Sequence, residues 1–481
     1  MSTSPPRGQH FTPSTVADFI WSLLGDLGVR RSASIIDPAA GQGALLRAAV
    51  RWGAAREACV GLEIDAVVID STATRAGVRL GDGLLDAHFS AKGFDVVIGN
   101  PPFGRVREIL SAEQIDALVE NPLRRGLWGP GRDSTFPGRA VEPLFLLRAV
   151  DLARPGGVVA FILPDGFLCN RRLQGVRDCL LDVATPIVVV ALPAGVFRRR
   201  GLNASTHVVV LRKAINSSFK TEMVERRHVK RGRLPETLQH MRADVANGKR
   251  TISVAAEELR GRRWDPGFWQ GREALTAWSL GETVRLGNFI EHLTYGPIVT
   301  GEKAAHVPDG VRCIRQGDFT DTGLRRTPQL CVYRNSVHDP SRSRVRQGDL
   351  LLPRSGAGSL GKNRLAVYLE ERPANVGCFV DVIRLKGINP FFVWAFLRSR
   401  PGWAQIRAVI NGVGTPNISF DEIRALRLPP LPRLAQERME QRYRQEVLDL
   451  HLRGEDDERA AAEAGMRFAA VVEDLEAEMQ D

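Results

Sequence analysis

Between Ser34 and about Leu211, the sequence alternates short apolar runs with segments of helical periodicity. Strands that alternate with helices in this way form a mostly parallel sheet with helices on both faces. We therefore expect an α/β fold in this region, with ligands bound where the strands end at their carboxyl side. The expected strands begin at Ser34, Cys59, Phe94, Val158, Ile187 and His207.

A chain of 481 residues is long enough for two to three domains. It contains no run of about 18 apolar residues that could span a bilayer, and its start lacks the apolar stretch of a secretion signal. We therefore expect a cytoplasmic protein that makes no contact with a membrane. The six cysteines form no CxxC pair, which disfavours a zinc site and a disulfide framework, so we expect no bound metal.

The net charge of the chain is +11, although the segment from Glu455 to Asp481 carries ten acidic and two basic residues. The rest of the chain therefore carries about +19. Such an excess of positive charge fits a polyanionic partner. A solvated basic surface would explain the same charge equally well.

A glycine-rich turn, Asp37-Pro-Ala-Ala-Gly-Gln-Gly43, follows the first expected strand and leads into a helix. Glycines let the backbone approach a ligand, and the start of a helix offers N–H groups to a carboxylate. The next strand ends at Glu63, where such folds place an acceptor for ribose hydroxyls. One strand further on, Asp82 is suited to accept a hydrogen bond from an adenine amino group. The turn departs from the GxGxxG pattern, which disfavours a nicotinamide cofactor.

The strand that begins at Phe94 leads into Asn100-Pro-Pro-Phe103. Two successive prolines exclude regular strand or helix, so we expect a rigid exposed loop. The Asn100 side-chain oxygen and the Pro101 carbonyl can accept both hydrogens of an exocyclic amine, which turns the nitrogen lone pair toward a cofactor methyl group. Phe103 can stack on the base. A base in a duplex must flip out to reach such a loop.

Residues 11 to about 212 resemble the gamma-class DNA amino-methyltransferases, which make N6-methyladenine. The glycine turn, Glu63, Asp82 and the Asn100–Phe103 loop match the family motifs in order. Phe11-Thr12-Pro13 precedes them, and Glu142-Pro-Leu-Phe145 and Pro155–Pro164 follow them. The resemblance implies a Rossmann-like fold and S-adenosyl-L-methionine as the cofactor.

The resemblance also implies which residues act. The catalytic residues would be Asn100, Pro101, Pro102 and Phe103. The target base would be held by Phe103, Glu142 and Phe197, although Arg198–Asn203 replaces the more usual Thr-Gly-Val after Phe197. The cofactor would be bound by Phe11, Thr12, Pro13, Asp37, Pro38, Ala39, Gly41, Gly43, Glu63, Ile64, Asp82, Gly83 and Asn100.

Residues 263 to about 445 resemble a target recognition domain from the specificity subunits of type I restriction systems. The resemblance rests on Arg263–Trp269, Gln347–Gly356, Asn411–Ser419 and Leu426–Pro432. It implies a β-rich mixed α/β domain that binds DNA. Basic side chains of such a domain contact phosphates and base edges, and the candidates are Arg342, Arg344, Arg354, Lys362 and Arg364.

The expected organisation is therefore a methyltransferase domain (1–215), a connector (216–262), a recognition domain (263–432) and a C-terminal helical segment (433–481). The expected partners are double-stranded DNA and a separate restriction endonuclease. One recognition domain reads one half-site, so the protein would act as a monomer on a short asymmetric target or as a homodimer on a palindrome.

Other activities fit parts of the same pattern. A cytosine N4-methyltransferase would use the same loop, and RNA or protein-glutamine methyltransferases share the NPP element. A catalytically silent DNA-binding subunit of a defence system is a further alternative. A cytosine C5-methyltransferase is disfavoured, because it needs a nucleophilic cysteine after a proline and no cysteine here follows one.

Overall fold

The computed structural model describes residues 11–479 except for 90–92, 115–139, 194–195, 198–204, 215–219, 225–232, 249–250, 278–281, 300–305, 355–358 and 411–417. The chain divides into two compact units, Met1–Trp269 and Gln270–Asp481. The segments Arg198–Asn203 and Asn411–Asn417, which the sequence singles out, lie outside the described residues.

One nine-stranded sheet forms the centre of the first unit. Its strands are β1 (Ile35–Asp37), β2 (Cys59–Glu63), β3 (Val78–Leu80), β4 (Phe94–Gly99), β5 (Ala153–Pro164), β6 (Thr185–Ala191), β7 (Thr206–Arg212), β8 (Lys220–Val224) and β9 (Thr251–Ala255). They lie in the order β3-β2-β1-β4-β5-β7-β6-β8-β9. Five neighbouring pairs are parallel, and β7 runs antiparallel between β5 and β6. The expected mostly parallel α/β fold is confirmed.

Helices cover both faces of this sheet. They are α1 (Ser14–Asp26), α2 (Ala44–Trp52), α3 (Ser71–Arg75), α4 (Val106–Ile109), α5 (Glu142–Leu152), α6 (Asp165–Cys169), α7 (Gln174–Leu181) and α8 (Leu234–Asn247), and α9 (Pro266–Ala277) begins in this unit. Successive strand side chains point to opposite faces. Ile35 and Val96 therefore pack with α1, α2 and α8, whereas Ile36 and Val97 pack with α5, α6 and α7.

The segment 216–262, which we expect to be a connector, contributes β8, β9 and α8 to the first unit. Strand β8 pairs in parallel with β6, and β9 pairs antiparallel with β8 at the edge of the sheet. The strands are short, and Lys220 and Glu222 alternate with the buried Thr221 and Met223. A half-buried strand needs only one apolar face, which explains why this charged segment resembles a linker.

The segment Arg263–Trp269 also lies in the first unit, although the sequence places it at the start of a recognition domain. Trp264 is completely buried, and its ring contacts the edge of Phe167 at a centroid distance of 6.3 Å. Arg263 and Asp265 form an ion pair at 2.7 Å. Large aromatic side chains can fill the core of either neighbouring domain, and only the folded chain shows which core receives them.

Among its described residues, the second unit contains three smaller sheets. Its strands are β10 (Val284–Arg285), β11 (Ile290–Tyr295), β12 (Val311–Ile314), β13 (Cys331–Val332), β14 (Leu350–Pro353), β15 (Ala366–Val367), β16 (Asn375–Val376), β17 (Val380–Leu385) and β18 (Arg427–Leu428). The sheet orders are β11-β17-β14-β15, β13-β12-β16 and β10-β18. The expected β-rich mixed α/β composition of this half is therefore observed.

Helices complete the core of the second unit. They are α10 (Pro390–Arg398), α11 (Arg400–Val409), α12 (Phe420–Ala425), α13 (Arg433–Arg442), α14 (Leu448–Arg453) and α15 (Glu458–Glu478), with a π-helical turn at Tyr443–Val447. Trp394 lies 4.9 Å from Tyr443 and 4.7 Å from Phe468, measured between ring centroids. The C-terminal helical segment is thus packed into the core of the second unit.

We predict that Trp264→Ala destabilises the first unit. Removing a fully buried tryptophan costs about 3–5 kcal/mol of the free energy of unfolding, and urea denaturation of the full chain measures this loss. Val67→Ala is the control, because this side chain is 94% exposed and its truncation should cost less than about 0.5 kcal/mol. Equal losses in the two variants would contradict the placement of Trp264 in this core.

Candidate active site

Four polar side chains lie along one edge of the nine-stranded sheet. The neighbouring strands β3, β2, β1 and β4 end beside Asp82, Glu63, Asp37 and Asn100, in that order. All four residues line one cavity of about 290 Å³. Their sequence positions after successive strands predict this arrangement, because parallel strands end at the same edge.

The glycine turn is held by Glu63. One carboxylate oxygen accepts from the Gly41 amide at 2.9 Å, and the other accepts from the Asp65 amide at 2.9 Å. Gly41 has a φ of +53°, which favours glycine, and its Cα faces the ring of Phe11. A carboxylate has about four acceptor positions, so Glu63 keeps further lone pairs that face the cavity.

Burial governs the protonation of two carboxyl groups in the cavity. Asp37 is 1% exposed, and burial raises its pKa to about 8, opposed by a hydrogen bond from the Ala39 amide at 3.0 Å. The nearby charge of Glu63 raises the pKa of Asp37 further. Burial also raises the pKa of Glu63 above its ordinary value, while hydrogen bonds from Asp65 and Gly41 lower it. Burial therefore favours the neutral form of Asp37.

Asp82 starts a tight turn against the glycine loop. One carboxylate oxygen accepts from the Leu84 and Leu85 amides at 2.9 and 3.2 Å. Gly83 lies so close to Pro38 that a Cβ atom would come within 1.8 Å of the Pro38 carbonyl oxygen. The turn thus tolerates only glycine at this position.

The loop after β4 is irregular, as its prolines predict, and Asn100 and Pro102 line the cavity. The Asn100 side-chain nitrogen donates to the Thr12 hydroxyl at 3.1 Å. Because the side-chain nitrogen of Asn100 faces Thr12, the side-chain oxygen of Asn100 points away from Thr12. Phe103 is partly buried against the core.

Glu142 contacts the end of this loop. Its carboxylate accepts from the Gly104 amide at 3.2 Å, and the Gly104 carbonyl accepts from the Val141 amide at 3.1 Å. Burial raises the pKa of Glu142 to about 7, and the hydrogen bond from Gly104 lowers it. Glu142 does not line the cavity described above. Its visible role is therefore to hold the loop.

Six of the predicted site residues do not line the cavity: Pro101, Phe103, Glu142, Pro13, Gly43 and Phe197. The Pro13 carbonyl accepts from the amides of the first turn of α1. Gly43 has a φ of +74° and faces Val78, which a Cβ atom would approach to 2.9 Å, so it serves the turn itself. Phe197 is only 2% exposed and belongs to the core beside α1 and α2. Its role as a target-base residue stays a prediction, and the structure shows its apolar ring buried in the core.

The cavity also contains residues that sequence reasoning missed. They are Ala40, Gln42, Ala44, Leu45, Leu62, Leu84, Ile109, Leu110, Ser111, Gln114 and Phe145. Gln114 donates to the second carboxylate oxygen of Asp82 at 2.6 Å. Ser111 and Gln114 exchange side-chain and backbone hydrogen bonds, so the S-x-x-Q capping-box pattern is the signal that could have identified this segment.

Among the described residues, no cluster of three or more His, Cys, Asp or Glu side chains could hold a metal ion. The six cysteines are free, and all except Cys378 are buried. No described helix is long and apolar enough to cross a membrane.

Arg354, a predicted DNA-binding residue of the second unit, is held internally. Its guanidinium lies 3.6 Å from the carboxylate of Asp381, which is completely buried. It also lies 4.4 Å from the ring centroid of Tyr295 and 5.5 Å from that of Phe420. Burial raises the pKa of Asp381 to about 7, and Arg354 lowers it.

The other predicted DNA-binding residues divide into paired and exposed side chains. Arg342 donates to the Tyr295 carbonyl at 2.8 Å, Arg344 pairs with Asp339 at 3.0 Å, and Arg364 pairs with Asp321 at 2.9 Å. Lys362 has an exposed side chain. Within the described part of the chain, that side chain makes no hydrogen bond or ion pair. Lys362 is therefore the candidate most available to phosphate.

Parts of the chain match known proteins. Residues 2–229 match the model of the family described as "N-6 DNA Methylase". The matched residues lie in the first unit and make up just under half of the chain. The chain is 24% identical over 175 residues to the type II methyltransferase M.HincII of Haemophilus influenzae, covering 36% of this chain and 31% of that protein. It is 31% identical over 162 residues to M.TthHB8I of Thermus thermophilus, covering 34% and 35%.

The chain therefore spans about a third of the length of these relatives. Solved structures are also similar to it. The type IIG restriction endonuclease BpuSI is 13% identical with a TM-score of 0.47, covering 96% of this chain and 66% of that one. A methyltransferase subunit of a type I restriction-modification system from Streptococcus thermophilus is 20% identical with a TM-score of 0.40, covering 50% and 54%.

We predict that the first unit loses stability as the pH rises, because of Asp37. Its folded-state pKa of about 8 lies above the unfolded-state value of about 3.9. The contribution is thus fully present below the unfolded pKa and is lost as the pH rises through the folded one. Urea denaturation between pH 5 and pH 8 should show the free energy of unfolding falling by up to about 1.4 kcal/mol per pH unit relative to Asp37→Asn. Parallel curves for both proteins would contradict the assignment.

Proposed function

We propose that the first unit transfers a methyl group from S-adenosyl-L-methionine to the N6 amino group of adenine in DNA. The observation that carries this proposal is that Asn100 and Pro102 line the same cavity as Asp37, Glu63 and Asp82. One cavity can therefore hold a nucleoside cofactor beside a group that binds an exocyclic amine. The match to the N-6 DNA methylase family supports adenine as the target base.

The chemistry of the cavity fits this cofactor. Glu63 would accept from the ribose hydroxyls, and Asp82 would accept from the adenine amino group of the cofactor in place of Gln114. Asp37 lies where a cationic ammonium or sulfonium group would favour its ionised form. Phe11, Thr12 and Ile64 would complete the walls. When bound, the cofactor supplies an electrophilic methyl group on a positively charged sulfur.

The chain contributes orientation and charge stabilisation. The Asn100 side-chain oxygen and the Pro101 carbonyl would accept the two amino hydrogens of the target base. Both bonds strengthen as positive charge develops on the nitrogen during transfer, so they stabilise the transition state more than the ground state. The Asn100 side-chain nitrogen donates to Thr12 at 3.1 Å. This bond would leave the side-chain oxygen to face the base.

The target base would reach this loop by flipping out of the duplex. Phe103 has a partly buried ring, whose remaining surface would stack on the extruded base. Glu142 would keep the end of the loop in place through Gly104. Cytosine N4 carries a similar exocyclic amine and is the second candidate target.

For the second unit, we propose that it recognises the DNA target. Its support is the β-rich fold, the sequence resemblance and an exposed Lys362. The arginines at 342, 344, 354 and 364 would position loops through their internal contacts. The protein would act in a restriction-modification system as a monomer or a homodimer, with a separate endonuclease as its partner.

We predict that Asn100→Ala lowers methyl transfer by at least about 100-fold, the effect of removing one donor or acceptor that stabilises a transition-state charge. Transfer of labelled methyl groups from S-adenosylmethionine to duplex DNA measures this loss. DNA binding should largely persist, because the proposed phosphate contact, Lys362, lies in the second unit. Asn247→Ala is the matched control, since Asn247 is exposed at the end of α8. Full activity of Asn100→Ala would exclude the proposed role of the loop.

Modification-sensitive sequencing of DNA from cells that express the protein identifies the methylated site. A single recurring sequence with a modified adenine is expected. Scattered modification without a recurring sequence would argue against target recognition by the second unit.

We predict that Lys362→Ala reduces the salt dependence of DNA binding. Loss of one phosphate contact lowers the slope of log K against log salt concentration by about 0.9. Titrations at several salt concentrations measure this slope. Lys386→Ala is the control, because Lys386 is also exposed in this unit and should leave the slope unchanged. An unchanged slope in Lys362→Ala would remove this residue from the DNA interface.

A further inference from the structure

Helix α5 contacts both halves of the candidate active site through one face. Glu142, Phe145 and Arg148 follow one another at intervals of three residues, so their side chains lie on the same side of the helix. All three are buried, with exposed fractions of 6%, 7% and 4%. Two charged groups rarely occupy such positions without specific partners.

At its start, α5 is hydrogen-bonded to Gly104, which directly follows the catalytic loop, Asn100–Phe103. Both backbone groups of Gly104 are bound there, the amide by the Glu142 carboxylate at 3.2 Å and the carbonyl by the Val141 amide at 3.1 Å. Gly104 has a φ of +148°, which side chains disfavour. Gly104, the residue that follows the Asn100–Phe103 loop, thus has a fixed position relative to α5.

Two helical turns later, the same face is tied to the Asp82 turn. Arg148 donates from Nε to the Gly83 carbonyl at 3.3 Å and from Nη2 to the Asp86 carbonyl at 2.5 Å. The Asp86 amide in turn donates to the Asp82 carbonyl at 2.9 Å. A buried guanidinium therefore bridges two carbonyls of the turn that carries Asp82.

Phe145 lies between these two ties and lines the cavity. The Asp82 turn is also pressed against the glycine loop, because Gly83 contacts the Pro38 carbonyl. A shift of Arg148 would therefore move Asp82 and disturb Pro38, both of which line the cavity. A shift of Glu142 would instead move Gly104 and the end of the catalytic loop.

We propose that Arg148 positions the turn that carries Asp82 and that Glu142 positions the catalytic loop. Helix α5 would thereby fix the position of the cofactor relative to the target base. This inference rests on the proposed function. It assigns separate effects to two residues of one helix face: Arg148 acts on cofactor affinity, and Glu142 acts on the rate of transfer from bound cofactor.

The test uses Arg148→Met in the full chain, because methionine keeps most of the apolar volume and removes the donors. Calorimetric titration with S-adenosylmethionine should show a Kd raised about tenfold or more, which corresponds to one lost charge-assisted hydrogen bond. At saturating cofactor, kcat should stay within about threefold of wild type, because an interaction with the cofactor turn contributes to binding. Arg148→Lys should give an intermediate Kd, because lysine retains the charge without the planar fork.

The second arm uses Glu142→Leu and Glu142→Gln. Leucine removes the acceptor for Gly104, so kcat should fall about tenfold or more while the Kd for cofactor stays within about twofold. Glutamine keeps an oxygen that accepts from Gly104, so kcat should remain within about threefold of wild type. The rescue by glutamine is a result that a general packing role of Glu142 would not give.

Arg177→Met is the matched control for loss of a buried arginine. Arg177 is completely buried and donates to the Phe167 and Asn170 carbonyls at 2.7 and 3.1 Å, and neither residue lines the cavity. This variant should lose stability and keep the wild-type Kd for cofactor.

A Kd that changes equally in Arg148→Met and Arg177→Met would overturn the assignment of Arg148. A joint loss of kcat and cofactor affinity in Glu142→Leu, without rescue by glutamine, would overturn that of Glu142. Failure of the proposed function has a different signature: the wild-type protein itself would not bind cofactor, or would bind it without methylating DNA. If the protein binds the cofactor without methylating DNA, the calorimetric titrations with S-adenosylmethionine still test the role of Arg148.

Discussion

The parallel pairing of β1 with β2 and β4 is the constraint on which the site depends. Asp37 is in register with Gly61, two residues before Glu63, and Ile36 is in register with Val97, three residues before Asn100. The carboxyl ends of these strands therefore meet at one edge, and residues far apart in the chain share one cavity. The proposed roles in cofactor and base binding depend on this meeting of the strand ends.

Hydrogen bonds from backbone amides stabilise the acidic side chains that lie together at this edge. Asp37 accepts from Ala39, Glu63 accepts from Gly41 and Asp65, and Asp82 accepts from Leu84 and Leu85. Such bonds favour the ionised form, whereas burial opposes it. The most buried carboxyl group, Asp37, shows the stronger effect of burial, and a cationic ligand would reverse that balance.

The sequence predicts those parts of the site that follow a strand directly. Asp82, Glu63 and Asn100 could be located because strands have a simple apolar signature and a parallel sheet aligns their ends. Gln114 and Arg148 could not, because their partners lie 32 and 65 residues away and depend on how helices pack. The same limit applies to Trp264, whose burial in the first unit depends on tertiary packing.

The measurement that tests the central claim most directly is mass spectrometry of nucleosides from duplex DNA incubated with the protein and isotopically labelled S-adenosylmethionine. The account predicts labelled N6-methyladenine, formed by the wild-type protein at a rate that depends on the cofactor. Label in N4-methylcytosine would contradict the choice of base. Absence of label from DNA, in a protein that binds the cofactor, would contradict the proposed methyl transfer itself.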